Sequence, residues 1–281
     1  MLVRLTNPLF WFGLLAAVVC LAGCGSAPPF ESGFPDGRRY PSNQASVAVT
    51  LGGFSSESYD SSTGVSLGEI DTDAETLELS LEGVGKLTGG GFTLGLKKGD
   101  GWSGPANLSD SGSGVFGIEF FSHFTIRPSW GEDVRLPIRI GPYIDQFEVA
   151  YLALPGGATP PDGMTTDYAA LGARLEIEPE YDFWAADDMV ASVYAKLTAG
   201  AGVAGISRAS DGETFDTMER HRGMGIGVRF RADSFEAEIG YVQRSRAYEE
   251  SDTAVINGIS ATMPETDLEF SGLVIRMGVR W

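Results

Sequence analysis

Few residues in this 281-residue chain have the types and spacing that chemistry requires. It holds two histidines, His123 and His221. Attack by a side-chain nucleophile needs a base, a nucleophile and an orienting group converging on one point. His123 alternates in phase with Glu119, but four residues along an extended strand is about 13 Å, too far for a direct hydrogen bond. His221 lies between Arg220 and Arg222 and is expected near the end of an outer loop. Asp71-Thr72-Asp73-Ala74-Glu75, with Glu82 at the twelfth position, has the outline of a calcium loop. Its sixth position is Thr76 where the turn requires glycine, and residues 77–82 already alternate as a strand. Gly89, Gly90 and Gly91 are followed by no helix that could hold a phosphate. The expectation is no catalytic residue, no metal and no cofactor.

The remaining reactive type is cysteine, at positions 20 and 24. The chain opens with one positive charge, Arg4, then an apolar run of thirteen residues from Leu9 to Leu21. As a helix that run is about 20 Å long, short of a bilayer span. A charged start, a short apolar centre and a small-residue exit describe a secretory signal. Leu21-Ala22-Gly23-Cys24 resembles the lipobox of bacterial lipoproteins. The resemblance implies cleavage before Cys24, with a diacylglyceryl group on its thiol, and covers only these 24 residues. Cys20 falls in the discarded run, so the mature chain has no spare thiol for a disulfide or a Cys-based metal site.

Removing residues 1–23 takes away Arg4 alone, so the formal charge moves from −18 to −19. Nucleic acid is excluded as a partner, because phosphate binding needs a basic surface. Residues 24–44 are rich in Pro, Gly and Ser with no apolar period and read as a lipidated tether. Residues 45–281 form one domain.

From Ala45 onward the signal is alternation with a period of two. Leu273, Ile275, Met277, Val279 and Trp281 alternate with Arg276, Gly278 and Arg280; Phe235, Ala237, Ile239 and Tyr241 alternate with Glu236, Glu238 and Gly240. Each such run is a two-faced strand. Ten are expected, at about 45–55, 75–87, 91–97, 114–127, 134–150, 167–182, 189–206, 222–231, 235–245 and 267–281; eight would remain if the short third and a neighbour are misread. Most are as long as a tilted strand needs to cross a bilayer. Short and long connections alternate, the long ones about fifteen to twenty-one residues. That parity is expected of an antiparallel up-and-down transmembrane β-barrel with short periplasmic turns and long external loops.

Trp130, Tyr181, Phe183, Trp184, Phe235 and Trp281 fall at the short turns or the C-terminus, where one aromatic girdle is expected. Phe147, Tyr151, Tyr168 and Tyr248 are expected to supply the other. The last strand, ending in Trp281, resembles the C-terminal strand that outer-membrane barrels present to their insertion machinery, although Phe is the usual last residue. The polar face is expected to point into the lumen, carrying Glu119, His123, Arg135, Arg139, Arg174, Glu176, Arg229, Arg231, Glu236, Glu238, Arg276 and Arg280. Buried charges persist only when paired, and the near-balance of signs on this face fits mutual pairing.

In pattern the domain resembles small outer-membrane barrels, with outer-membrane lipid and the insertion machinery as expected partners. The expected role is structural or surface-exposed, or that of a narrow hydrophilic pore. Two alternatives stand. One is a lipidated lipocalin-like soluble barrel, whose apolar face would line a ligand cavity. The other is a hydrolase acting at the outer rim.

Overall fold

A computed structural model describes residues 43–60, 62–84, 88–100, 114–130, 133–150, 165–186, 189–208, 214–232, 235–256 and 259–280. Cys24, the signal and all of the tether before Asn43 lie outside the described residues, as do Tyr151 and Trp281. Ten long strands build the wall: β1 (Asn43–Asp60), β2 (Val65–Val84), β3 (Thr88–Asp100), β4 (Gly114–Ile126), β7 (Ile138–Ala150), β8 (Thr165–Ile177), β10 (Met189–Arg208), β11 (Thr214–Ala232), β12 (Phe235–Tyr248) and β15 (Glu265–Arg280). Five short pieces accompany them. These are β5 (Ser129–Trp130), β6 (Val134–Arg135) and β9 (Glu180–Ala186) at the short-turn end, with the hairpin β13 (Ala254–Ile256) and β14 (Ile259–Ala261) at the other.

Every neighbouring pair is antiparallel, and pairing of β1 with β15 and of β10 with β11 completes the ring. The wall is a closed ten-stranded barrel. Following hydrogen-bonded partners from Ser46 through Ser80, Thr93, Phe121, Tyr143, Gly172, Gly202, Glu219, Tyr248 and Thr266 returns to β1 at Ser58. A stagger from Ser46 to Ser58 over ten strands corresponds to a strand tilt of about 40°. Pro137 and Pro179 interrupt two strands, since neither has an N–H for the ladder. Their carbonyls keep the wall continuous by accepting from Glu178 N at 2.9 Å and Ala195 N at 3.0 Å.

On the half nearest the short turns, apolar side chains face outward. Val47, Val49 and Leu51 on β1, Met224 and Ile226 on β11, and Leu273, Ile275 and Met277 on β15 are all exposed. A lipocalin-like barrel would point these same residues inward. Tyr181, Phe183, Trp184 and Phe235 are exposed at that end, where a girdle belongs.

On the far half the alternation keeps its phase but reverses its polarity. Phe54, Phe147, Tyr168, Ile206, Phe215, Tyr248, Leu268 and Phe270 point inward and are buried, while Glu57, Glu148, Asp167, Asp216, Asp267 and Glu269 take the outward positions. Phe147, Tyr168 and Tyr248 therefore form no outer girdle: they sit on the inward phase of their strands and pack against one another.

The same reversal corrects the loop lengths. The connections expected over about 56–74 and 207–221 are mostly strand, with β1 and β2 separated only by residues 61–64 and β10 and β11 by residues 209–213. Asp60 accepts from Ser62 N at 2.9 Å and Thr63 N at 3.1 Å, and Gly64, at φ 65°, turns the chain back. The amide bonds to Asp60, with the Ser62 hydroxyl foremost, hold its carboxyl below the ordinary range.

Candidate functional site

The lumen is where the fold concentrates functional side chains. Among the described residues, twelve Lys and Arg and eleven Asp and Glu point inward, all named below. Cross-strand register places many of them: Arg229 lies opposite Glu238, Arg231 opposite Glu236, Arg139 opposite Glu176 and Glu238 opposite Arg276.

At the short-turn end, Arg135 donates to Glu180 at 2.9 Å and also to Asp182, which accepts from Ser192 Oγ at 2.7 Å. Arg231 donates to Glu180 at 2.7 Å and to Glu236 at 3.1 Å. Arg229 bridges Glu178 at 2.9 Å, Glu180 at 3.1 Å and Glu238 at 2.7 Å. Arg280 is buried in the same tier.

One layer further in, Glu82 holds Arg127 at 2.6 Å and Arg139 at 3.3 Å, and Arg139 reaches Glu178 at 3.1 Å. Lys196 pairs with Glu176 at 2.9 Å, while Glu78 takes Arg244 and, at 3.3 Å, Arg276.

The top tier centres on Glu119, Asp145 and Glu219. Glu119 accepts from Arg174, Arg246 and, at 3.2 Å, Lys97. Arg246 also binds Asp145 and stands 3.6 Å from Glu219. Tyr143 lies flat along the wall, because its register neighbours on the next two strands are Gly172 and Gly202. A Cβ built on Gly202 would stand 2.8 Å from the Tyr143 hydroxyl. Across those glycines the Tyr143 hydroxyl reaches Glu219, the next residue in the same row.

Both histidines face this interior. His123 Nε2 is 3.9 Å from Glu82 Oε1, and its ring stacks on Phe121 with centroids 5.1 Å apart. His221 is a correction: it lies on β11 rather than in a loop, with Nδ1 3.3 Å from Glu219 Oε1. Neither imidazole makes a hydrogen bond to a hydroxyl. Glu119 and His123 both face inward on β4, and Glu119 spends its oxygens on Arg174, Arg246 and Lys97.

Among the described residues, small voids lie between these charges. Voids of about 60 and 40 Å³ share Gln44, Arg139, Glu178, Arg229 and Glu236 as lining. Each has room for a few waters. Above the top tier an aromatic bridge crosses the lumen. Phe54 contacts Phe147 at 5.3 Å between centroids, Phe147 contacts Tyr168 at 6.3 Å, and Tyr168 contacts Tyr248 at 4.7 Å. The 249–264 connection adds Met263 to this core, fixed where Ser251 N donates to Met263 O at 3.1 Å and Met263 N to Ser251 Oγ at 2.8 Å.

All twelve lumen residues expected from alternation sit on inward positions. Lys97, Arg127, Glu180, Asp182, Glu219 and Arg246 join them, and of these Glu219 and Arg246 lie on strand that runs past the expected bounds 222–231 and 235–245.

No protein-family model matches the chain, and no curated protein is detectably similar. Solved structures do resemble it. The outer-membrane protease OmpT from Escherichia coli aligns with a TM-score of 0.50 at 9% identity, over 86% of this chain and 98% of that one. The beta domain of the Bordetella autotransporter BrkA gives 0.39 at 18% identity, over 85% and 98%. Neisserial surface protein A gives 0.33 at 11% identity, over 86% and 99%. At such identities the likeness is one of fold. The chain is an all-β, antiparallel, closed barrel of the outer-membrane type.

Proposed function

We propose that this chain is a lipid-anchored outer-membrane barrel that conducts nothing through its centre. It acts as a surface scaffold, without enzymatic activity, holding its acidic outer end outside the cell. One observation carries this reading: the aromatic bridge from Phe54 to Tyr248 crosses the lumen above an interior crowded with paired charges. A pore would need a continuous wet path, and a buried aromatic layer opposes one. Reconstituting the full mature chain in planar bilayers tests it. The expected result is a flat baseline; discrete conductance steps would establish the pore instead.

The lipid is assigned to Cys24, whose tether enters β1 at the same end as the C-terminus of β15. The apolar belt already anchors the barrel, so the lipid serves delivery or pins the tether. Cys24→Ala should lose fatty-acid label yet stay in the membrane fraction; release into solution would make the lipid the sole anchor. Strand β15, followed by Trp281, is the segment we assign to the insertion machinery.

A further inference from the structure

Near the outer edge of the apolar belt, Arg222 and Arg220 stand on the outward face of β11. From Arg222 on β11, the register row toward β12 runs through Ser245, Glu269, Ser55 and Asp71. With the stagger of the ring that row climbs toward the outer end, and in the other direction it descends into the belt through Ala199, Leu175, Ile140 and Phe124. Arg220, one outward position higher, has Ala247 and Asp267 on the first side and Ala201 and Ala173 on the second. The two arginines thus stand where the acidic outer wall meets the apolar belt.

Twelve other Lys and Arg side chains are committed to the lumen, whereas these two face outward. The Arg220 side chain is 72% exposed and pairs with the half-exposed Glu249. Arg222 donates from Nε to Ser245 Oγ at 3.1 Å. Directly below and beside them, Met224, Ile226, Leu197 and Val203 are more than half exposed on the outward face.

We propose that this β10–β11 face binds a phosphate-bearing lipid of the outer leaflet. Its acyl chains lie along Leu197, Val203, Met224 and Ile226, and its headgroup phosphate rests on Arg220 and Arg222. Guanidinium presents a planar fork of donors that matches phosphate oxygens, and the apolar surface beneath continues the belt that acyl chains already cover. On the β15 side, Glu269 and Asp267, two strands away, repel the same headgroup, so recruitment is one-sided. Placement in the outer leaflet rests on the outer-membrane reading; the affinity rests on this face alone.

The test uses the full mature chain in neutral detergent micelles doped with phosphatidic acid or with phosphatidylcholine of identical acyl chains, with bound lipid counted by native mass spectrometry. Phosphatidic acid should be retained about tenfold over phosphatidylcholine, given two arginines at a headgroup surface. The preference should fall to parity in the Arg220→Gln/Arg222→Gln double variant and persist in Glu57→Gln/Asp267→Asn. Heat-modifiable gel migration reports that each variant is folded. Equal retention by the native protein overturns the proposal, as does an undiminished preference in the arginine variant. Displacement of the lipid by millimolar inorganic phosphate also overturns it, by revealing a phosphate pocket instead of a lipid surface. Fractionation of cells tests the location separately, so the two failures cannot be confused.

Discussion

The two halves of this barrel use one backbone and one alternation with opposite polarity. Near the short turns, β15 sends Leu273, Ile275 and Met277 outward and Arg276 inward; a few residues earlier it sends Asp267 and Glu269 outward and Leu268 and Phe270 inward. β1, β7, β8, β10, β11 and β12 make the same exchange. The surrounding solvent accounts for it. Against hydrocarbon, apolar outward residues are favourable and charges survive only inside, paired. Against water, the barrel is an ordinary soluble sheet, and burying a Phe or Leu inside gains about 1.5–3 kcal/mol each. Paired buried charges roughly break even against their desolvation. The outer half therefore contributes net stability through its core, and the inner half contributes a demand for complementarity.

That contrast predicts the largest loss in the inner half. Arg229 neutralises Glu178, Glu180 and Glu238 and lies 3.5 Å from Glu236. Arg229→Met removes the one cation these buried carboxylates share and should cost about 3–5 kcal/mol in urea unfolding from detergent. A loss below 1 kcal/mol would mean the network reorganises freely and the comparison fails. Next comes a matched pair on one strand and one face. Ile275→Arg, in the belt, should cost about 2–4 kcal/mol when unfolding is measured from lipid vesicles. Asp267→Arg, eight residues away, should change stability by less than about 0.5 kcal/mol. Equal costs would place both positions in the same solvent and erase the boundary.

The boundary also explains what the sequence could and could not reveal. Ten strands and their lumen face were legible wherever apolar residues hold one phase, as in Ile275–Val279 and Met224–Phe230. At the reversal the apolar phase slips, from Leu273 back to Phe270 or from Leu171 back to Tyr168, and a pattern tuned to lipid stops there. Hence the ladder from Ser56 to Asp60 and the segment 214–221 read as loop, and His221 with them. The partners of Arg246 and Tyr143 were not legible at all. They depend on which strands meet across the lumen, which the stagger of the closed ring decides and no local period records.

A smaller effect probes the seam between the halves. At Gly202, an added Cβ would sit 2.4 Å from the Leu171 carbonyl and 2.8 Å from the Tyr143 hydroxyl. Gly202→Ala must push Tyr143 off the wall and away from Glu219, at about 1–3 kcal/mol. Combining it with Tyr143→Ala should recover part of that loss, because the obstructing ring is gone; strict additivity in the double-variant cycle would show that the two do not touch.

The smallest effect belongs to the watery outer wall, where Glu148 and Asp167 face each other across β7 and β8. Partial burial raises both carboxyls, and Asp167 raises Glu148 further. A carboxyl whose folded-state value is raised favours the protonated fold, so the pair is least harmful below the unfolded-state values. Its cost grows as pH rises through the raised values and is complete at neutrality. Like charges opposite each other on a sheet cost about 0.2–1 kcal/mol. Glu148→Gln should therefore stabilise the barrel by about 0.5 kcal/mol at pH 7 and by nothing near pH 3.5. A gain that persists in acid would assign the effect to packing, and the outer wall would then lose its claim to behave as an ordinary solvated sheet.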